Sequence, residues 1–194
     1  PDIGAYESSH STADYNPHKY VTTTGSNSNS GAITDPFLTI QYAIDQAQNN
    51  DIIHVSAGTY VENINYNGKN ISVIGEGRET TIIDGNNIGR AVFIDGGSSL
   101  SNFTVQNGTG YSWNTRGSGI YANGNVILNN LIVKNNTNNE GEGAGIFLDM
   151  TSTDIATIKN SLIVANTGDG LVCSSGLPII DNVTIINNSL TGIY

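Results

Sequence analysis

Charged residues, cysteine and long apolar runs are all scarce in this chain. Of its 194 residues only 12% are charged, and the one cysteine, Cys173, excludes an internal disulfide framework. Seven basic residues face 17 acidic ones, giving a formal net charge of −10. A nucleic-acid partner needs a basic face and an anionic membrane repels an acidic chain, so we expect neither partner. No apolar run approaches the length of a membrane span, and we predict no membrane insertion.

Glycine, asparagine, serine and threonine take the place of the missing charges, and glycine alone accounts for 23 residues. These residue types favour tight turns between short strands over helices. The composition therefore predicts an all-β fold. An acidic, asparagine-rich repeat chain with almost no cysteine also favours an extracellular or cell-surface location on a bacterium.

One sequence unit recurs four times between Ser98 and Tyr194. Each copy reads as a short apolar strand, a corner asparagine, a second strand, and then asparagine or glycine. The corner residues are Asn102, Asn130, Asn160 and Asn182. A third strand follows each copy, at 119–121, 145–147, 170–172 and 192–194. A fixed motif at intervals of 28, 30 and 22 residues indicates a solenoid with three strands per coil.

Alternate apolar positions predict the inside of this solenoid. Phe103, Val105 and their equivalents in later copies are expected to face inwards. Because the repeat always runs in the same direction, like residues should stack on like residues of the next coil. The corner asparagines can form a ladder, since a carboxamide both donates and accepts hydrogen bonds and asparagine tolerates left-handed backbone.

A single helix is expected before the coils. Apolar residues between Phe37 and Ala47 recur with the spacing of one helical face, and Asp35 or Thr39 can cap its start. A solenoid must cover its first coil, so we assign this helix as the N-terminal cap. The predicted organisation is a preceding module's tail at 1–7, a linker at 8–19, a strand, loop and capping helix at 20–50, and a parallel β-helix at 51–194 with further coils expected beyond it.

Several stretches resemble right-handed parallel β-helix proteins of the pectin-lyase-like superfamily. The segments 36–47, 51–63, 70–76 and 80–85 are similar to the opening coils of pectin methylesterases. The Gly-Ile-Tyr and Gly-Ile-Phe strands are similar to generic later coils. Residues 1–7 resemble the closing motif of choice-of-anchor Q bacterial surface modules. The resemblance implies a right-handed parallel β-helix within a tandem array, and it is far more specific for fold than for activity.

Enzymes of this superfamily act on acidic or acetylated polysaccharides. Pectin methylesterases use two aspartates, an arginine and a Gln-Asp pair, so the resemblance would imply such residues here. This chain contains no Gln-Asp dipeptide, and none of those residues carries over. The remaining catalytic candidates are carboxylates and one amine: Asp84, Asp95, Asp149 and Lys134, with Glu140 and Glu142 on a loop. The Asp-Gly pairs at 84–85 and 95–96 are explained more simply as turns.

Two other polar features bear on ligand binding. The loop 25–31 offers serine and asparagine oxygens to calcium but no carboxylate, so no cofactor is expected and calcium is the one candidate. His54 alternates with Ile53 and Val55, so its side chain should point outwards as a surface histidine.

Outward aromatic residues are candidates for carbohydrate binding. Tyr121 and Phe147 each follow a buried isoleucine, so they should project from one face, one coil apart, with Tyr111 and Trp113 on the nearby loop. Aromatic faces along a solenoid can hold sugar rings, and packing under an insert loop explains these residues equally well.

Outward aliphatic residues are candidates for a protein interface. They lie where other copies of the repeat carry polar residues: Ile132, Leu162, Val164 and Ile186. Adjacent exposed aliphatic side chains usually mark a contact surface, here for a neighbouring chain or module.

These patterns favour a non-catalytic structural or adhesive β-helix module of a large secreted or cell-surface protein. Such a module would self-assemble, or contact other modules of its parent. Two alternatives stay open. One is a polysaccharide-active enzyme, either a pectate- or alginate-type lyase or a pectin esterase-like protein. The other is a carbohydrate-binding module for acidic or neutral polysaccharide.

Overall fold

The structure is a computed structural model that describes residues 15–110, 116–138 and 143–193. One strand and one short helix precede six coils within these residues. In chain order the elements are β1 (His18–Val21), α1 (Ile40–Gln46); β2 (Ile52–Val55), β3 (Gly58–Val61), β4 (Ile64–Asn65) in coil 1; β5 (Ser72–Gly75), β6 (Thr81–Asp84), β7 (Val92–Asp95) in coil 2; β8 (Ser99–Ser101), β9 (Thr104–Gln106), β10 (Thr109–Gly110), β11 (Ile120–Asn123) in coil 3; β12 (Ile127–Asn129), β13 (Ile132–Lys134), β14 (Thr137–Asn138), β15 (Ile146–Asp149) in coil 4; β16 (Thr157–Lys159), β17 (Leu162–Val164), β18 (Leu171–Cys173) in coil 5; and β19 (Ile179–Asp181), β20 (Thr184–Ile186) in coil 6.

The strands form three long parallel sheets, one for each wall of the tube. The spatial order is β1-β2-β5-β8-β12-β16-β19 in the seven-stranded sheet and β3-β6-β9-β13-β17-β20 in the six-stranded sheet. The five-stranded sheet runs β4-β7-β11-β15-β18, and β10 pairs with β14 at a corner. Each strand therefore lies beside its equivalent in the next coil. The prediction of a parallel β-helix with three strands per coil is confirmed.

The core is made of stacks of aliphatic side chains, because the register aligns equivalent residues of successive coils. Each fully buried aliphatic side chain stabilises the fold by roughly 1.5–3 kcal/mol. The central stacks, all with zero exposure, are Leu100, Leu128, Ile158; Val105, Val133, Ile163; and Ile120, Ile146, Leu171.

A glycine precedes the third strand in coils 3, 4 and 5, at Gly119, Gly145 and Gly170. A Cβ atom on Gly119 would lie 2.5 Å from the carbonyl oxygen of Gly145, and one on Gly145 would lie 2.3 Å from that of Gly170. Both distances are shorter than a van der Waals contact, so a Cβ atom would clash at either position. The recurring Gly-Ile dipeptide is therefore required by the close approach of successive coils.

The corner asparagines form a column on the outside of the tube. All four have left-handed backbone, with φ between 52° at Asn160 and 66° at Asn102. Asn130 Nδ2 donates to Asn102 Oδ1 at 2.9 Å, and Asn182 Nδ2 donates to Asn160 Oδ1 at 2.9 Å. Between coils 4 and 5 the ladder steps sideways, because Asn160 Nδ2 donates to Asn129 Oδ1 at 3.0 Å.

A second asparagine column, which was not predicted, lies inside the next corner. Asn136 and Asn166 are almost fully buried. Asn136 Nδ2 donates to Asn166 Oδ1 at 3.0 Å, and Asn166 Nδ2 donates to Asn188 Oδ1 at 2.9 Å. The same two oxygens also accept the backbone N–H groups of Asn136 and Asn166. These carboxamides therefore satisfy backbone groups that a tight corner leaves unpaired.

Helix α1 covers the N-terminal end of the core, as predicted. Thr39 is its N-cap, with Oγ1 accepting from Tyr42 N at 3.3 Å, and Ile40 and Ile44 are fully buried. Glu62 adds a second cap, because its two carboxylate oxygens accept the backbone N–H groups of Ile40 and Gln41 at 2.9 Å each. Such charge-assisted bonds suit the positive end of a helix.

The N-terminal boundary differs from the predicted one. β1 begins at His18, so residues 18 and 19 belong to the solenoid and not to the linker at 8–19. Lys19 lies in the inward register of the seven-stranded sheet and reaches the buried carboxylate of Asp51 at 3.5 Å. The remainder of the linker up to residue 14, the tail at 1–7 and Tyr194 lie outside the described residues.

One side-chain contact links distant coils. Arg78, on the loop between β5 and β6, donates from Nη1 to the backbone oxygen of Asn160 at 3.1 Å, so a coil 2 loop reaches coil 5. At coil 6 the inward positions are less covered, with Ile180 40% exposed. No helix among the described residues has the length and hydrophobicity needed to cross a membrane.

Candidate functional site

The outer face of the five-stranded sheet carries three aromatic side chains in register, Phe93, Tyr121 and Phe147, here called the aromatic row. The ring centroids of Phe93 and Tyr121 are 5.3 Å apart, and those of Tyr121 and Phe147 are 5.7 Å apart. The ring planes differ by only 10° and 13°. Tyr121 therefore has a stacked ring on either side, and a sugar ring could stack on it only if the row opened.

Two arginines pack on the aromatic row. The guanidinium carbon of Arg90 lies 4.3 Å from the Tyr121 centroid and 5.6 Å from the Phe93 centroid. That of Arg116 lies 5.1 Å from the Phe147 centroid. Arg90 also donates from Nη2 to the backbone oxygen of Arg116 at 2.7 Å. Burial lowers the pKa of Arg90, and stacking on the rings compensates part of that desolvation.

A polar row runs beside the aromatic row, two residues further along the same strands. It consists of Asp95, Asn123 and Asp149. The Tyr121 hydroxyl donates to Asp149 Oδ2. Burial, and then this bond and the negative charge of Asp149, raise the pKa of Tyr121 to about 12. Asn123 separates Asp95 from Asp149, so the two carboxylates lie two strand spacings, about 10 Å, apart along the tube.

An open cleft of about 510 Å³ adjoins the polar row, at the turns between the five-stranded and seven-stranded sheets. Its side chains are two carboxylates and two carboxamides, Asp95, Asp154, Asn123 and Asn125, and glycines supply the rest of its lining. Several of these groups already bond to backbone. Gly68 N donates to Asp95 Oδ1 at 3.1 Å, and Thr151 N donates to Asp154 Oδ2 at 2.7 Å.

The other catalytic candidates lie on a different wall. Asp84 and Lys134 occupy one outer row of the six-stranded sheet, with Gln106 between them. The predicted carboxylate cluster is thus divided, with Asp84 far from Asp95 and Asp149. Burial tends to raise the pKa of Asp84, but hydrogen bonds from Gln106, the backbone of Asn86 and Asn107 outweigh it and lower the pKa. These bonds identify Asp84 as a turn residue.

The four interface candidates lie together on the outer face of the six-stranded sheet. Ile132 pairs with Leu162, and Val164 pairs with Ile186, in adjacent rows of strands β13, β17 and β20. The first three are half-buried and Ile186 is 47% exposed. None of the four is buried within the chain itself.

The outward histidine has two ring neighbours. His54 Nε2 lies 2.9 Å from His18 Nδ1, and the Tyr20 ring centroid lies 4.9 Å from that of His54. Burial, and then the charge of His18, lower the pKa of His54.

The calcium candidate, loop 25–31, uses its polar side chains internally. Asn27 Oδ1 accepts from the backbone of Leu38 and Thr39, and Asn29 Nδ2 donates to the Pro36 oxygen at 2.8 Å. Across 15–110, 116–138 and 143–193, no three side chains of His, Cys, Asp or Glu group closely enough to hold a metal ion.

Some candidates cannot be placed, and some site residues were missed. Tyr111, Trp113, Glu140 and Glu142 lie outside the described residues. Phe93 and the two arginines were not anticipated. The register that aligns Phe93 with Tyr121 was a usable signal, because each directly follows an inward aliphatic residue. The arginines come from loops that carry no repeat pattern, so no spacing could have paired them with the rings.

Comparison with solved structures gives the fold relationship. The structure is similar to that of the pectin methylesterase from carrot, with a TM-score of 0.59 and 17% sequence identity. The match covers 84% of this chain and 50% of the carrot protein, so the chain spans about half the length of that relative. At this identity the likeness shows the fold alone.

Sequence comparison gives the family. No protein of curated function matches the chain significantly. Residues 23–193 match the family described as "Protein of unknown function (DUF1565)". Because that match covers nearly all of the six coils and their cap, the chain belongs to the DUF1565 family and has the pectin lyase-like parallel β-helix fold.

Proposed function

We propose that the chain is a non-catalytic structural or adhesive β-helix module of a secreted or cell-surface protein. One observation carries this proposal. The side chains on the outer face of the five-stranded sheet contact one another and leave little room for a substrate. The rings stack, the arginines cover them, and Tyr121 holds Asp149. A general acid and base need a gap in which substrate can sit, and this arrangement fills it.

The same groups are well suited to a rigid, repetitive surface. Aromatic pairs contribute about 0.5–1.5 kcal/mol each beyond area burial, and cation–π contacts add about 0.5–1 kcal/mol at exposed sites. Rows that continue from coil to coil present the same chemistry at each strand spacing. The partners we infer are other modules or copies of the protein, and self-assembly would use the aliphatic patch at Ile132, Leu162, Val164 and Ile186.

Carbohydrate binding is the second candidate, and the cleft at Asp95 favours it. Carboxylate and carboxamide groups around an open cleft of this size suit the hydroxyl groups of a neutral sugar. An acidic polysaccharide is less suited, because Asp95 and Asp154 and the net charge of −10 would repel it.

The test is to incubate the protein with pectate, alginate and methylated pectin, and with neutral glycans. The proposal expects no unsaturated product absorbing in the ultraviolet and no methanol release. Turnover that is lost in Asp149→Asn and kept in Asp84→Asn would overturn it in favour of an enzyme. Retardation in neutral-glycan gels without turnover, abolished by Asp95→Ala together with Asn123→Ala, would establish the second candidate.

A further inference from the structure

The N-terminal edges of the three sheets differ in what covers them. In the seven-stranded sheet the edge is β1, where Tyr20 N donates to Gly31 O at 2.9 Å and Phe37 N donates to Tyr20 O at 2.8 Å. At β4, the Gln41 side chain takes the place of a strand, since Oε1 accepts from Asn65 N at 2.7 Å and Nε2 donates to Asn65 O at 3.1 Å. β3 ends the six-stranded sheet, with β6 on one side only. The cap therefore covers two edges and leaves the third open.

The direction of the backbone hydrogen bonds alternates along β3, and this identifies the N–H and C=O groups that have no partner strand. Gly58 N donates to Thr80 O at 2.8 Å and Glu62 N donates to Asp84 O at 3.1 Å, so the even-numbered residues bond to β6. In a parallel sheet the intervening residues bond to the opposite neighbour. The N–H and C=O groups of Thr59 and Val61 thus point away from β6, and no residue in the described part of the chain pairs with them.

A groove of about 180 Å³ runs along this edge. Thr23, Leu38 and Thr39 form one side, and β3 with Glu62 forms the other. Val61 is 61% exposed and Leu38 is 40% exposed, so the groove has apolar margins beside unpaired backbone. At about 30 Å³ per water molecule, the volume corresponds to about six waters or a short stretch of main chain.

One carboxylate lines the groove and two others lie near it. Glu62 is part of its lining, and Glu76 Oε2 accepts from Ala57 N, just before β3, at 2.9 Å. Asp84 lies beside Val61 on the neighbouring strand. Burial, and then the charges of Glu62 and Glu76, raise the pKa of Tyr60 to about 12. The local charge, like the net charge of −10, favours a basic occupant and disfavours a second copy of this acidic chain.

We propose that the open edge of β3 receives an extended, basic peptide segment of a partner protein, which adds to the six-stranded sheet as a further strand. Backbone hydrogen bonds to Thr59 and Val61 hold it, as in other cases of strand addition. Its outward side chains are β-branched, to pack against Thr59 and Val61, and its flanking residues are lysine or arginine. This proposal is independent of what the five-stranded sheet binds.

The probe is the acetylated, amidated pentapeptide Lys-Val-Thr-Val-Lys, added to ¹⁵N-labelled protein. In the free protein the amides of Thr59 and Val61 should exchange quickly and that of Tyr60 slowly. With peptide bound, the Thr59 and Val61 resonances should shift and their exchange should slow by about tenfold or more, as expected for one or two new hydrogen bonds. A peptide with N-methyl groups at the threonine and at the last lysine keeps the side chains but should lose this protection, because those two residues carry the N–H groups that face β3 when the valines lie beside Thr59 and Val61. The peptide Glu-Val-Thr-Val-Glu should bind at least about tenfold more weakly.

Val61→Pro removes an N–H that points away from β6, so it breaks no existing sheet bond and should abolish binding. Val61→Thr is its matched control and should bind the peptide. Loss of Tyr60 amide protection would show that Val61→Pro disturbs the fold. In that case the N-methylated peptide, added to the unmodified protein, is the test of the proposal. Equal binding of the N-methylated peptide, or shifts confined to other residues, would overturn the proposal. Protection of Thr59 and Val61 that rises with protein concentration in the absence of peptide would also overturn it, because a second copy would then occupy the edge.

Discussion

At the scale of single residues, asparagine carries most of the information in this fold. One column of corner asparagines supplies left-handed backbone on the outside, and a second column supplies buried carboxamides that bond to backbone and to each other. The two columns look alike in sequence. They differ in the cost of replacement, because water can reach the first and cannot reach the second.

Asn166→Ala should lower the free energy of unfolding by roughly 1–3 kcal/mol, since it leaves the buried backbone N–H of Asn136 without an acceptor and leaves Asn136 Nδ2 only the Val105 oxygen at 3.3 Å. Urea denaturation followed by circular dichroism measures this. Asn188→Ala is the matched control: it removes the equivalent acceptor from the N–H groups of Asn166, but Asn188 itself is half-buried, so water can take the place of its oxygen. Equal losses in the two variants would contradict the role of burial.

His54 should titrate below the ordinary histidine pKa of about 6.5, because burial and the neighbouring His18 disfavour its charged form. For a base with a depressed folded pKa, the unfolded chain binds more protons. Its stabilisation is therefore present above the unfolded pKa of about 6.5 and is lost as pH falls through the folded pKa. NMR titration of the ring Cε1 protons measures this directly. His18→Gln should move the His54 pKa upwards, and no movement would show that His18 contributes nothing.

At the scale of elements, the sequence predicted every wall but not every strand. The third strands predicted at 119–121, 145–147 and 170–172 begin within one residue of β11, β15 and β18, because the stacked glycines and inward aliphatic residues recur at fixed positions. β3 and β4 were not anticipated. Their inward residues are only Tyr60 and Ile64, and they lack the repeat motif. Periodicity cannot identify strands as short as these.

The candidate site was predictable only in part, for a similar reason. Tyr121 and Phe147 lie on one face because strand alternation dictates it. The two rings stack on each other, and Arg90 and Arg116 pack on them. These contacts depend on side-chain packing and on the positions of loops. A sequence pattern specifies which side of a strand a ring occupies, and not what contacts the ring.

Tyr121→Leu should unfold more easily than Tyr121→Phe by about 1–3 kcal/mol, because leucine loses two ring stacks that phenylalanine keeps. Both variants lose the hydroxyl bond to Asp149, so their difference isolates the stacking. Guanidinium denaturation of the pair measures it. If the two variants are equally stable, the aromatic row does not act as a structural ladder, and the argument that it is unavailable to sugars fails.

At the scale of the whole molecule, stability should vary along the tube. Central coils have a coil on either side, whereas the inward side chains of coil 6 are partly exposed. A solenoid gains its stability from each coil and from the contacts between neighbours. Within residues 1–194, truncation of an inward side chain should therefore cost more in an inner coil than in coil 6.

Leu128→Ala should cost about 2–5 kcal/mol, since Leu128 is fully buried in the stack of the seven-stranded sheet. Ile180→Ala is its matched control, two coils further along the same stack and 40% exposed, and should cost clearly less. Thermal unfolding of both variants gives the comparison. A larger loss from Ile180→Ala would mean that coil 6 is as well packed as coil 4.

The contact from Arg78 to the Asn160 oxygen has a mechanical consequence. A simple stack of coils should peel from its end one rung at a time when stretched along its axis. A tie from the second coil to the fifth makes the coils between them share load, so they should rupture in a single larger step. Single-molecule stretching of Arg78→Ala should divide that step into smaller ones, whereas Arg78→Lys should preserve part of it.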